Sequence, residues 1–303
     1  MTAEFIVEHE TRYRYASQVA FAQHLACLRP LDAPGQTVAS HAMDVDPAPS
    51  DLRQGRDVFG NHQTYFSITR PHLVLRVRAR SRVRLQPRFE QLDFAASPAW
   101  EPIRQALTYS ANAVYNEAAE FCFDSPRVPR ARELREYAQA SFRSGAPLLF
   151  GALDLMRRIH RDFRYDAAST HVATPLQESF AARAGVCQDF SHIMIGCLRS
   201  VGLAARYVSG YLDTRPRFAA TPGGDDAAQP VVGADASHAW VAVWCPRFGW
   251  VEFDPTNNAV PGTGHVLLAI GRDYGDVAPL RGVVQGGGDH SLEVAVQVLA
   301  VRD

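Results

Sequence analysis

Cysteine is scarce in this chain: five among 303 residues, an odd number with no C-x-x-C pair. That argues against a disulfide framework and against a structural zinc site, and it fits a reducing compartment. No stretch approaches the ~18 consecutive apolar residues that a membrane-spanning helix needs. The first ten residues have no basic region followed by an apolar run, so no secretory signal is expected. A cytoplasmic protein without membrane contact is the expectation. An excess of one charge is lacking too: 31 Lys and Arg stand against 32 Asp and Glu, for a net charge of −1. Bulk electrostatics therefore argue for neither a nucleic-acid binder nor a protein built for acidic substrates. There is no D-x-D-x-D-G calcium loop, so no metal is expected, and no cofactor. No internal repeat is visible.

What is present is an ordinary globular composition, 47% apolar and 21% charged. The length exceeds what one hydrophobic core usually serves, so two packed units are expected. Residues 1 to about 95 read as strands. From 75 to 85 the alternation is strict: Leu75, Val77, Ala79, Ser81, Val83 and Leu85 take one face, and Arg76, Arg78, Arg80, Arg82 and Arg84 the other. Five arginines in a row read as the solvated outer face of an antiparallel sheet, or else as a docking surface for an anionic partner. No aromatic residues interleave to suggest nucleic acid.

From Pro98 the pattern turns helical. Trp100, Ile103, Ala106 and Leu107 share a stripe; a second helix follows Pro129 with Leu134, Tyr137 and Ala138; a third spans about 149 to 163. A further helix runs from Cys187 to about Val201. Strands are expected at 205–212, 238–245 and 250–254, a loop at 221–226, and a last alternating strand at 292–301. Helices and strands are segregated, so the fold class is α+β. The divisions are a β-rich unit at 1–97, a core at 98–275 and a C-terminal strand segment at 276–303 that packs back on the fold.

Three residues carry chemistry. Behind Cys187, Phe190, Ile193, Met194, Cys197, Leu198 and Val201 recur as a buried helical stripe, which places Cys187 at a helix N-terminus. Unpaired N–H groups and the helix dipole favour an anion there, and the thiolate is the nucleophilic form of cysteine. A histidine that activates a thiol needs a third group to fix its tautomer. His238 opens one strand and Asp254 closes the next. They share a face if the intervening loop, around 246–249, holds an odd number of residues, and they are then diagonal neighbours about 7 Å apart by backbone. Cys27, Cys122, Cys197 and Cys245 read as structural.

Gly185-Val186-Cys187-Gln188-Asp189-Phe190-Ser191-His192, Val201-Gly202-Leu203 through Gly210-Tyr211, Ser237-His238-Ala239-Trp240 and Asp254-Pro255-Thr256-Asn257 together resemble the bacterial transglutaminase-like superfamily. Tyr13-Arg14-Tyr15, Leu28-Arg29-Pro30, Asp46-Pro47 and Asp57-Val58-Phe59-Gly60-Asn61 resemble that family's N-terminal companion domain, and 271–279 fits its tail. The resemblance implies a papain-like core, an N-terminal β-rich, sandwich-like domain and a thioester intermediate. Cys187 would be the nucleophile, His238 the base and then the acid, and Asp254 the group that orients it. The substrate would be a peptide or protein with an amide or isopeptide bond, cleaved by water or transferred to an amine.

Animal relatives carry a tryptophan tens of residues before the cysteine as an oxyanion donor; here none lies between Trp100 and Trp240. The backbone N–H of Cys187 can serve as one donor. Gln188 and Tyr165 are candidates for the second, with Asp189 and Trp240 as further cleft candidates. Asp189, His192, Arg272, Asp273 and Tyr274 either line the cleft or brace it. Two other readings stay open: a non-catalytic peptide-binding scaffold that retains the triad, and a docking protein that uses the arginine face. An arylamine acetyltransferase also uses Cys-His-Asp, but its arginine-glycine-glycine block before the cysteine is missing.

Overall fold

The computed structural model describes residues 2–111, 114–213 and 237–301; the expected loop at 221–226 lies outside them. The first unit is a sheet built on β1 (Ala3–Ala26), followed by β2 (Gln36–Asp46), β3 (Asp51–Arg56), β4 (His62–Ile68) and β5 (His72–Leu85). Next come α1 (Trp100–Leu107), α2 (Arg132–Gln139), α3 (Leu148–Asp162), the short β6 (Arg164–Tyr165), α4 (Leu176–Ala182) and β7 (Ala184–Gly185). The chain continues through α5 (Cys187–Ser200), β8 (Ala205–Leu212), β9 (His238–Cys245), β10 (Gly249–Phe253), β11 (His265–Gly271) and α6 (Tyr274–Val277). It ends with β12 (Leu280–Gly286) and β13 (His290–Ala300). The architecture is α+β, as the segregation of helices and strands indicates.

β1 is long enough to serve two halves of one sheet. Its first half pairs with β5 and β13, its second with β4 and β12, and the register shifts between Arg14 and Val19. The halves fold onto a shared core in which Leu75, Val77 and Ala79 of β5 meet Phe66 and Ile68 of β4. This is the sandwich-like arrangement, completed by strands that the chain supplies from its other end.

The arginine face of β5 lies beside a row of glutamates on β1. Arg76 and Arg78 reach Glu10 at 2.8 and 3.1 Å, Arg80 reaches Glu8 at 3.0 Å, and Arg82 reaches Glu4 at 2.8 Å. Mostly exposed pairs of this kind add little stability. They do spend the charge locally, so the row is an ion-paired outer face with its hydrophobic partners, Leu75 to Leu85, buried beneath.

The core sheet has the order β10-β9-β8-β11, all antiparallel, with α5 against β8 and β9 and under α2, α3 and α4. α5 is buried along nearly its whole length, consistent with its apolar stripe. β11 is an edge strand, and unpaired edges invite association. Side-chain amides of the first unit cover it. Gln36 exchanges bonds with both backbone groups of Leu267, at 2.8 and 2.6 Å, and Asn61 does the same with Ile270, at 2.8 and 2.7 Å. Asp57 aims Asn61 by accepting its Nδ2 at 2.8 Å, and Gly60, at φ +83°, turns the chain between them. The Asp57–Asn61 block is thus a clamp between the two units.

Candidate active site

Cys187 opens α5, and Asp189 builds the turn that presents it. Its Oδ2 accepts from the Val186 N–H at 2.8 Å and from Thr170 Oγ1 at 2.7 Å, while its Oδ1 accepts from Ser179 at 3.2 Å. An acidic side chain in the first helical turn that reaches back to the residue before it is a stabilising start. The carboxylate needs Gly185 nearby, because a Cβ there would come within 2.6 Å of Oδ2. Asp189 is therefore spent on bracing the turn that carries Cys187. Gln188 is likewise engaged, its Nε2 donating to the Val172 carbonyl at 3.2 Å. Tyr165 pairs through its backbone with Gly185 in the small parallel β6–β7 ladder and is half-buried.

The β9–β10 register sets Gly249 opposite Cys245 and Phe253 opposite Val241, leaving three loop residues, an odd number. His238 and Asp254 then fall on one face as diagonal neighbours. His238 Nε2 donates to Asp254 Oδ2 at 2.8 Å, with both side chains fully buried. The ring's other nitrogen, Nδ1, makes no hydrogen bond of ordinary length and angle among the described residues. The Cys187 thiol nonetheless lies near enough to act on the ring by hydrogen bond and by charge. Loose contacts of this kind are common where no substrate is bound.

Asp254 is held by more than His238. His265 Nε2 donates to the same oxygen at 3.2 Å and Asn257 Nδ2 at 2.9 Å; the backbone N–H groups of Thr256 and Asn257 donate to Oδ1 at 3.0 and 3.1 Å. The block Asp254-Pro255-Thr256-Asn257 is thus a turn that wraps its own carboxylate. Burial alone would raise the Asp254 pKa, but the charge and hydrogen bond of His238, with the bond from His265, hold it well below the usual carboxylate range. Burial would likewise lower His238, yet Asp254 and Cys187 together raise it to about 10. His265 goes the other way: burial lowers it, and its share of Asp254 does not make up the difference. One carboxylate thus favours the protonated form of one ring, while burial favours the neutral form of the other.

Trp240 packs between these rings, stacked on His238 at 6.0 Å and edge-on to His265 at 5.2 Å. Its indole N–H donates to Glu252 at 2.9 Å, so it is a wall and not an oxyanion donor. Glu252 also takes Arg88 at 2.8 Å in an ion pair whose two side chains are each 6% exposed. Gly210 on the neighbouring strand leaves room for the indole, since a Cβ there would stand 2.3 Å from the ring.

Two tyrosines stand near the thiol. Burial first, and then the Cys187 charge, push Tyr207 well above its ordinary pKa; Tyr274 is raised for similar reasons. Their rings meet edge-on at 6.4 Å, and His192 lies 5.2 Å from Tyr207. His192 Nε2 accepts the Tyr274 backbone N–H at 3.2 Å, Asp273 caps the turn through Gly275 at 2.8 Å, and Arg272 is bound to Asp276. Of the residues that could line or brace, Tyr274 packs on Tyr207, and its turn is held by His192, Arg272 and Asp273.

Sequence reasoning did not single out His265, Asn257 or Tyr207. Strand parity could have found Tyr207, which shares a face with Ser209 and Tyr211. Asn257 follows Asp254 closely enough to be suspected as a turn residue. His265 has no local signal; only the arrival of β11 beside β8 brings it to Asp254.

Residues 5–84 match the bacterial transglutaminase-like N-terminal region, and residues 135–255 match the transglutaminase-like superfamily. An uncharacterized Mycobacterium tuberculosis protein is 38% identical over 98% of this chain and 93% of its own length. An uncharacterized Mycobacterium leprae protein is 30% identical, over 96% and 97%. A Pseudomonas aeruginosa protein-glutamine gamma-glutamyltransferase is 30% identical over 53% of this chain and a quarter of its own length. A crystal structure from Cytophaga hutchinsonii, provisionally described as a cysteine protease, superimposes over 100% of this chain and 92% of its own with a TM-score of 0.74 at 19% identity. The fold is that of the papain-like cysteine enzymes, and the chain belongs to the bacterial transglutaminase-like superfamily, complete with that family's N-terminal region.

Proposed function

We propose that this protein opens an amide bond of a peptide or protein through a thioester on Cys187. The observation that carries the reading is the buried His238–Asp254 bond at 2.8 Å, with the thiol at the head of α5 beside the same ring. The raised His238 pKa lets the imidazole hold a proton at neutral pH, available to the leaving amine. The thiolate attacks the amide carbonyl, and the resulting oxyanion lies at the N-terminal turn of α5, where backbone N–H groups point outward. The C–N bond breaks as the leaving amine takes the proton from His238, and the acyl group stays on sulfur. His238, now neutral, removes a proton from water or from an incoming amine. That oxygen or nitrogen bonds to the carbonyl carbon, the C–S bond breaks, and thiolate and imidazolium are restored. Asp254 orients the ring and stabilises its charge throughout.

The resemblance to a glutamine gamma-glutamyltransferase favours a glutamine side chain as acyl donor. Water or an amine can complete the cycle with the same residues. Mass spectrometry of a peptide and isopeptide library, with and without a primary amine, tests the proposal with Cys187→Ala as control. Cleavage marks a hydrolase and a mass gain from the amine marks a transferase; products that persist in Cys187→Ala would refute the mechanism.

A further inference from the structure

A cavity of about 990 Å³ opens where the turn after β3 and the segment around Glu117–Cys122 meet the outer face of the core sheet. Trp250, at the start of β10, forms part of its wall, about 13 Å along the strand from Asp254 at ~3.4 Å per residue. The wall is aromatic: Phe59 packs on Phe121 at 5.7 Å, and Phe121 packs edge-on to Trp250 at 5.2 Å. Over the Trp250 ring, at 4.2 Å, lies the guanidinium of Arg206.

Arg206 differs from the other arginines that line the cavity. Arg272 is held by Asp276 at 2.9 and 3.0 Å, Arg56 by the Gly60 carbonyl at 2.8 Å, and Arg281 by the Gly275 carbonyl at 3.1 Å. Arg206 has no hydrogen bond and no ion pair among the described residues, and its Nε is closed off from solvent. Its nearest counter-charge within the sheet, Glu252, is committed to Arg88 and Trp240. Burial lowers the Arg206 pKa to about 10, which leaves it charged at neutral pH. The Arg206 side chain is half-buried: its Nε is enclosed without an acceptor, and stacking on the indole offsets part of that cost. The cavity also presents Glu117 and Glu120, exposed and without a hydrogen bond among the described residues, where Glu117 lies within electrostatic reach of Arg206 and Glu120 of Arg272.

We propose that this cavity binds a short peptide with free ends and an apolar side chain. The carboxylate pairs with the planar fork of Arg206, the side chain packs on Phe59, Phe121 and Trp250, and the ammonium faces Glu117 and Glu120. The volume is of the size that holds ligands larger than one amino acid, and bidentate carboxylate recognition is what a guanidinium does best.

Isothermal titration with the dipeptide alanyl-phenylalanine, its C-terminal amide and its N-acetyl form decides the matter. The free dipeptide should bind, and the amide should bind at least tenfold more weakly. Arg206→Gln, checked for an unchanged melting temperature, should bind acid and amide alike, both at the weaker level. If Arg206→Gln does not fold, the exposed pair Glu117→Gln and Glu120→Gln carries the test by erasing the preference for the free over the acetylated amino end. No binding of the dipeptide, equal binding of acid and amide by the unaltered protein, or an acid preference that survives in folded Arg206→Gln would overturn the proposal.

Discussion

At one end of the β9–β10 hairpin, Asp254 accepts five hydrogen bonds, and its charge and that of His238 are buried together. At the other end, Arg206 lies over Trp250 with no acceptor among the described residues. The first end holds its ionised groups out of water, which costs several kcal/mol per ion unless a partner is present; at the second only the Arg206 Nε is enclosed and the rest of the side chain is half-exposed. The first end supplies its own partners, and under the proposed mechanism it moves a proton for Cys187. The second lacks one and suits a ligand that brings it. Between them stands the chain Trp240, Glu252 and Arg88, which ties the hairpin to the segment leaving β5.

The comparison is broken most severely at the sulfur. Cys187→Ala should lower turnover by up to ~10⁶-fold with the melting temperature unchanged, as read from single-turnover assays and calorimetry. Asp254→Asn should cost roughly 10⁴-fold, the scale seen when a triad acid becomes its amide. It should also bring His238 down from about 10, because burial then acts on the ring without its counter-charge; NMR titration of the ring protons would show the drop. In the unaltered protein the raised His238 pKa stabilises the fold fully below about pH 6.5, and this contribution is lost as pH rises towards 10. The depressed Asp254 pKa stabilises above about pH 4, and that contribution is lost in acid.

Glu252→Leu should destabilise the fold by about 3–5 kcal/mol in urea titration, since it strands a buried Arg88. Glu252→Gln, which keeps an acceptor for Trp240, should cost less. The smallest effect is expected of His265→Phe, which keeps a ring against Trp240 but removes one N–H from Asp254. Loss of about 1.5 kcal/mol of charge-assisted bonding corresponds to roughly a tenfold fall in kcat. A kcat indistinguishable from the parent's would show that Thr256, Asn257 and His238 fix the carboxylate without it.

Much of this was legible in the residues. The α5 stripe fixes Cys187 at a helix end, and strand parity through an odd loop puts His238 and Asp254 on one face, because both patterns depend only on local periodicity. The strands at 205–212 and 238–245 fall where the alternation places them. Less visible was what each polar neighbour does. Asp189, Gln188 and Trp240 are all close to the triad in sequence or space, yet each is spent on another group, and such spending depends on Thr170, Val172 and Glu252 arriving from elsewhere. His265 reaches Asp254 from a strand whose place in the sheet no local pattern sets. Arg206 reads as one polar position in an apolar strand; its place over Trp250 appears only when β8, β9 and β10 line up in the sheet.

The claim on which the rest depends is that the His238–Asp254 pair activates Cys187, and it can be tested without knowing a substrate. Iodoacetamide labelling is followed residue by residue by mass spectrometry as pH is varied. Burial pushes the Cys27 thiol up to about 12, Cys122 up to about 11 and Cys197 higher still, and Cys245 is fully enclosed. Cys187 should therefore label at neutral pH long before the other four, and His238→Ala should remove that advantage. Labelling of Cys187 no faster than that of Cys27 or Cys122 at pH 7, or a rate indifferent to His238→Ala, would contradict the account.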